Sequence, residues 1–209
     1  ITRAPSLLTT RDRAVTASDF EMIAKEASSE VARAYCDGKM DEDGKVSIVI
    51  LPHRRAGESI PNAFLSEGLR EQVAHYLKAR CLINVQPIVS LAKFLRVDIS
   101  IHLRLRPNSN AIQVREVAKE WVRSFLDPYE GGLDQVGWVF GETLYAQDFA
   151  RMVLEIPEVR HVVDVRLYEM SSKDSRSVPG WELGSGDSEL HLDGYDLFQI
   201  RRIRVQIGE

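Results

Sequence analysis

Five histidines, two cysteines and a scatter of carboxylates are the side chains through which this chain of 209 residues could run chemistry. His53, His75, His102, His161 and His191 lack a Cys, Asp or Glu at metal-ligand spacing, so no metal is expected. His53 precedes Arg54 and Arg55, a trio able to hold an anion such as phosphate. A wet loop after a strand explains it equally. Asp41, Asp43 and Gly44 share part of a calcium loop. From Asp41 the sixth position is Val46 and the twelfth Pro52. From Asp37, Gly44 comes late and the twelfth is Ile48. A hairpin turn fits better, because Asp and Gly favour turns on their own account; Asp187 and Asp193 read the same way. No Gly-x-Ser-x-Gly elbow and no Gly-Lys-Ser/Thr phosphate loop occurs. A glycan hydrolase would need two carboxylates across a cleft. Glu120, Asp127, Glu130, Asp134 and Glu142 are available, and nothing in the sequence pairs them. Cys36 and Cys81 fit neither a redox nor a zinc pattern and read as small buried hydrophobes, which suits a reducing cytoplasm. The expectation is therefore no catalytic residue, no cofactor, no metal and no small-molecule substrate.

Arginines cluster instead. Arg96, Arg104 and Arg106 fall on one predicted strand and Arg201, Arg202 and Arg204 on another, with Trp181, Tyr195 and Phe198 near the second group. An anion- or nucleic-acid-binding module built on these strands is one reading. A wet sheet face, or an interface to an acidic partner, is the other. A net charge of −4 and a pI of about 5.8 argue against nucleic acid. No run is long and apolar enough for a membrane span. The chain opens at Ile1 with neither an initiating Met nor the apolar core of a signal peptide, and reads as a piece of a longer protein.

The elements that must carry these residues follow from periodicity. Thr16 and Asp19 stand as a capping box before Phe20, Ile23, Ala24 and Ala27, which predicts a helix over 17–28. Strands are predicted at 30–36 and 46–51, around a polar turn at 37–44, with Pro52 ending the second. The second is apolar on both faces, as a central strand is. Leu65, Leu69, Val73, Tyr76 and Leu77 predict a helix over 63–79, and 82–88 reads as a strand that Pro87 ends or places at an edge. Val97, Ile99, Ile101, Leu103 and Leu105 alternate with polar residues over 95–106, the signature of a long strand with one wet face. A helix over 110–126, a glycine-rich loop over 129–144, a helix over 146–156, a strand from 159 and a last strand near 197–207 complete the chain. The glycines at 131–141 fit no dinucleotide fingerprint; they let the loop turn while Trp138 and Phe140 anchor it. The fold class is α+β: two small α/β-sandwich-like units (α-β-β-α-β, then β-α-loop-α-β-β) with antiparallel or mixed sheets. The units are expected at 13–90 and 91–209, after an extension at 1–12, with an exposed loop at 171–193.

Several phrases carry a resemblance. Arg13-Ala14-Val15-Thr16-Ala17-Ser18-Asp19-Phe20 resembles the RAVT-x-x-D-aromatic segment of baseplate J-like proteins. Gly44 to Pro52 is similar to that family's Gly-x-Val-x-Val-x-Ile-x-Pro strand, with Ile48 in place of a Val. Tyr76-Leu77-x-x-Arg80 and the long alternating strand follow in the family's order. Pro128, Gly131-Gly132, then Gly137-Trp138-x-Phe140-Gly141, are similar to its P…GG…G-W-x-F-G signature. Val159-Arg160-His161-Val162 departs from it, with His161 where a glycine is usual. The resemblance spans roughly residues 11–207. It implies structural motif residues (Arg13, Thr16, Asp19, Gly44, Pro52, Pro128, Gly131, Gly132, Gly137, Trp138, Phe140 and Gly141) and no enzyme. It implies a baseplate component of a contractile phage tail or phage-derived injection system, tying wedges into a ring around the hub and rearranging on sheath contraction. The implied partners are wedge and hub proteins and copies of itself, first in the cytoplasm and then in the assembled particle. The long strand, the glycine-rich segment and the loop at 171–193 are the expected contact surfaces.

Overall fold

The computed structural model describes residues 13–54, 67–170, 187–192 and 194–208. The extension at 1–12, Arg55, Leu65, Trp181 and most of the loop at 171–193 lie outside the described residues. The chain divides into two compact units, one through Ala92 and one from Lys93.

In the first unit, α1 (Ala17–Ala27) starts at the Thr16 N-cap. The Asp19 amide donates to Thr16 Oγ1 (3.3 Å), and Asp19 Oδ2 accepts from the Thr16 amide (2.8 Å), which satisfies donors the first turn leaves open. β1 (Val31–Met40) pairs antiparallel with β2 (Lys45–Pro52), and β2 pairs parallel with β3 (Gln86–Leu91) after the crossover through α2 (Glu67–Lys78). Phe20, Ile23, Ile48, Ile50, Val73, Leu77 and Val89 form the core. Val49 and Leu51 are buried as well, so central β2 is covered on both faces. Two boundaries differ from the periodicity. β1 continues to Met40 through a register shift beyond Cys36, with Gly38 at φ 70° against Ala17. β3 begins at Gln86 rather than Leu82, because its parallel register starts opposite Lys45, where β2 itself starts. Leu82–Val85 is the turn that brings it there, and Ile83 is fully exposed.

In the second unit, β4 (Phe94–Leu105) is central, antiparallel to β6 (Val159–Met170) and parallel to β8 (Leu197–Gly208). α3 (Ala111–Phe125) starts at Asn110, whose side chain accepts from the amides of Ile112 and Gln113 (3.1 and 3.3 Å). α3 lies against β8, and α4 (Ala146–Leu154) lies against β6. A short ribbon pairs β5 (Leu144–Tyr145) with β7 (Glu189–Leu190). Val97, Ile99, Ile101 and Leu103 are wholly buried, and Val114, Ala118 and Val122 of α3 and Phe149 and Val153 of α4 are buried with them. Both sheets are mixed, and the class is α+β.

Both units guard their strand edges, where unpaired amides and carbonyls invite aggregation. Glu21 of α1 reaches edge strand β1 and accepts from the Cys36 amide (3.0 Å). Arg115 of α3 donates to the Val205 carbonyl of edge strand β8 (3.2 Å). Asp187 and Leu167 exchange backbone bonds along β6 (2.9 and 3.1 Å). On the remaining edge strand, β3, Pro87 removes a donor.

Candidate functional site

The motif residues fall into two places. In the first unit Arg13 is exposed just before α1, Thr16 and Asp19 form the cap, Gly44 ends the β1–β2 turn, and buried Pro52 closes the far end of β2 opposite Val31. Asp41 shapes the turn: its carboxylate accepts from the amides of Asp43 (3.0 Å) and Lys45 (2.7 Å). Gly44 sits at φ 78°, and a Cβ there would strike the Asn84 carbonyl. The carboxylates that suggested calcium are therefore turn-formers, as their residue types predict.

The second group is gathered into one loop. Asp127 is its knot. Its carboxylate accepts from the amides of Tyr129 (2.8 Å) and Glu130 (3.1 Å), and its carbonyl accepts from Gly131 (2.9 Å) and Trp138 (3.1 Å). Asp127 is thus a structural residue, removed from the carboxylates a hydrolase could use. Glu120, Glu130, Asp134 and Glu142 are exposed. Gly131 packs so closely that a Cβ would meet the Phe125 carbonyl and the Asp127 backbone. Pro128 and Gly132 are half-buried, and Gly137 donates to the Gly131 carbonyl (2.9 Å). Gly141 ties the loop's end to the segment before β8 by donating to the Asp196 carbonyl (3.0 Å).

Trp138 and Phe140 are buried, as their role as anchors requires. Edge-to-face contacts run from Phe149 to Phe125 (5.6 Å), from Phe125 to Trp138 (5.4 Å) and from Trp138 to Phe198 (6.2 Å). This row locks α4, α3, the loop and β8 together, each pair adding about 0.5–1.5 kcal/mol beyond area burial. Pinned from below, the loop turns Leu133, Val136 and Val139 outward, 88%, 65% and 48% exposed. Beside it lies an open pocket of about 660 Å³, where Trp121 and Met152 meet Glu130 and Glu155.

The arginine strands resolve differently from their sequence pattern. Asp98 belongs to the wet face by alternation, yet it is 4% exposed. β8 carries one extra residue opposite Val97–Asp98, and that residue is Arg201. The bulge aims its guanidinium at Asp98 through both oxygens, Nε to Oδ1 at 3.1 Å and Nη2 to Oδ2 at 3.0 Å. Arg201 therefore stays on this face with its guanidinium taken up by Asp98. The long strand β4 is paired on both edges, so only its polar face is left for contact.

One constellation escaped the sequence reading. Thr143 Oγ1 lies 2.9 Å from His191 Nδ1, and His191 Nε2 lies 3.6 Å from Glu189. The order of groups suggests a hydroxyl–imidazole–carboxylate relay. All are partly or fully exposed, the carboxylate stands beyond hydrogen-bond reach, and the three belong to neighbouring rungs of the β5–β7 ribbon. A cross-strand polar contact accounts for it. Only the ribbon's pairing, which the sequence reading did not contain, brings residues 143 and 191 together. Burial pushes the Cys36 and Cys81 thiols up, away from the nucleophilic thiolate. Among the described residues no group of three His, Cys, Asp or Glu is placed to hold a metal ion, and no helix is long and apolar enough to cross a membrane.

The backbone is similar to that of a chain in the cryo-EM structure of the anti-feeding prophage baseplate, 6-fold symmetrised, with a TM-score of 0.64 at 15% identity. The match covers 95% of this chain and 40% of that one, so this chain spans well under half its length. At that identity the shared property is the fold. No family model and no curated protein sequence matches the chain.

Proposed function

We propose that this chain is a non-catalytic structural module of a baseplate, in a contractile phage tail or a phage-derived injection particle. The observation that carries the reading is the likeness of the backbone, over 95% of the chain, to a chain of the anti-feeding prophage baseplate. The motif phrases at 13–20, 44–52 and 127–141 support the narrower assignment to the baseplate J-like family. In that narrower reading the module ties wedges into a ring around the hub and rearranges when the sheath contracts. Its partners are wedge and hub proteins and further copies of itself.

The physical character of the motif residues suits such a role. Thr16, Asp19, Gly44, Gly131 and Trp138 cap, turn and anchor; none is held ready for bond chemistry. The anchored loop that presents Leu133, Val136 and Val139 beside the pocket is the contact surface we assign to a neighbouring baseplate protein. Guarded edges keep the units from pairing at random while faces and loops remain to be matched. Deleting the gene and imaging particles by electron microscopy tests the reading. Sheaths and tubes without complete baseplates are the expected result. Intact baseplates in the deletion strain, with full-length protein that stays monomeric beside every baseplate partner, would overturn it.

A further inference from the structure

The polar face of the second sheet concentrates charge of one sign in a chain whose net charge is −4. By register, Arg96 and Arg104 of β4, Arg166 of β6 and Arg202 and Arg204 of β8 share this face, and the bulged Arg201 joins them. Among the described residues six arginines thus meet two carboxylates, Asp98 and Asp164. Both acids are engaged within the face: Asp98 with Arg201, and Asp164 with Arg166 Nε at 2.5 Å. The Asp98 side chain is only 6% exposed, so it offers little negative field to an incoming group.

We infer that this face is a docking surface for an acidic protein segment, a partner surface that the baseplate reading does not specify. One row supplies the recognition point. Arg166, Ser100 and Arg204 lie side by side across β6, β4 and β8. Ser100 is small and half-buried, and its two neighbours in the row are exposed arginines, so a short hydroxyl stands between two long cationic side chains. Arg204 also donates to Gln206 when that amide turns its oxygen inward (3.1 and 3.2 Å), which holds the guanidinium at the sheet surface. A planar guanidinium grips a carboxylate through two parallel bonds, and a β-sheet fixes the spacing between such grips.

Strands about 4.8 Å apart and alternate residues about 6.8 Å apart give a patch of roughly 400 Å² once arginine reach is included. That is about half of one partner's share of a standard interface, so the face alone binds weakly and serves as one part of a larger contact. Nucleic acid fits less well. Phe94 and Tyr168, which share this face by register, are both half-buried, so among its described residues no exposed Phe, Tyr or Trp offers bases a ring to stack on.

The test uses the full chain and two labelled probes: a glutamate-rich peptide of about twelve residues and a single-stranded thymidine oligomer of equal charge. Binding is followed by fluorescence anisotropy, and amide shifts by NMR. We expect the peptide to bind at about 50 mM salt and to lose at least about fivefold in affinity at about 200 mM. We expect R202E/R204E to weaken it at least about tenfold, and R123E, on the exposed surface of α3, to leave it unchanged. Amide shifts should centre on Ser100 and Arg166. Absence of peptide binding at low salt, equal weakening by R123E, or shifts lying away from this face would each overturn the proposal. Tighter binding of the oligomer than of the peptide would overturn it in favour of nucleic acid. Should R202E/R204E fail to fold, salt dependence and the shift map of the parent protein decide.

Discussion

Replacing Arg201 with methionine should cost more stability than replacing its partner Asp98 with asparagine. The Asp98 side chain is 6% exposed and Arg201 31%. Without Arg201 a carboxylate remains buried beside β8 with its best donor gone, and breaking such pairs costs about 3–5 kcal/mol when both partners are fully buried. Arg201 lies on an edge strand, and water can follow it in, so about 2–3 kcal/mol is expected here. Asp98→Asn leaves the cation behind instead. A long side chain on an edge can turn its charge to solvent, so about 1 kcal/mol is expected. The double variant, with no ionised group buried, should lie within about 1 kcal/mol of the parent. Urea denaturation of all four proteins gives the cycle. Two results would refute the reasoning: a cost under about 0.5 kcal/mol for Arg201→Met, or the same cost in the Asp98→Asn background as in the parent.

Trp138→Ala should destabilise by about 3–5 kcal/mol, since it empties the centre of the aromatic row; Trp138→Phe should recover more than half, read by thermal unfolding and near-ultraviolet dichroism. Gly131→Ala should cost about 2–4 kcal/mol, because the new methyl meets backbone on both sides, whereas Gly68→Ala, with open space around it on α2, should be neutral or slightly stabilising. Cys36 should resist iodoacetamide in the native state at neutral pH and react on denaturation. Because burial raises the folded thiol, the unfolded chain releases its proton first. Above about pH 8.5 stability should therefore fall with rising pH; a flat profile from there to about pH 10 would contradict that burial.

Much of the fold was legible because its signals are local. Alternation alone marks β4, since a strand with one buried face must repeat every second residue. Thr16 and Asp19 mark the start of α1, since a capping box satisfies its donors within four residues. The apolar run at 46–51 marks β2 as central. Residues 82–88 misled because their apolar run follows a helix end, and the true start of β3 is fixed by Lys45, far away in sequence.

For the candidate site, residue types were informative where the structural reason is short-ranged. Glycines and aromatics at 131–141 announce a tight, anchored loop, and the loop exists. Asp127 looked like a spare acid because its role depends on amides two to four residues ahead, and on Trp138 beyond, that only a particular turn turns back toward it. Thr143 and His191 meet only because β5 and β7 pair.

The sequence by itself determined where charge is plentiful, where catalytic groups are sparse, and which face of each strand is apolar, because those properties are written residue by residue. Tertiary structure alone decided what the charges do. Asp98 and Arg201 stand far apart in sequence, and one extra residue in β8 sets whether they meet. A register shift of that kind depends on the pairing of whole strands, so a polar residue on a wet face became half of a buried ion pair.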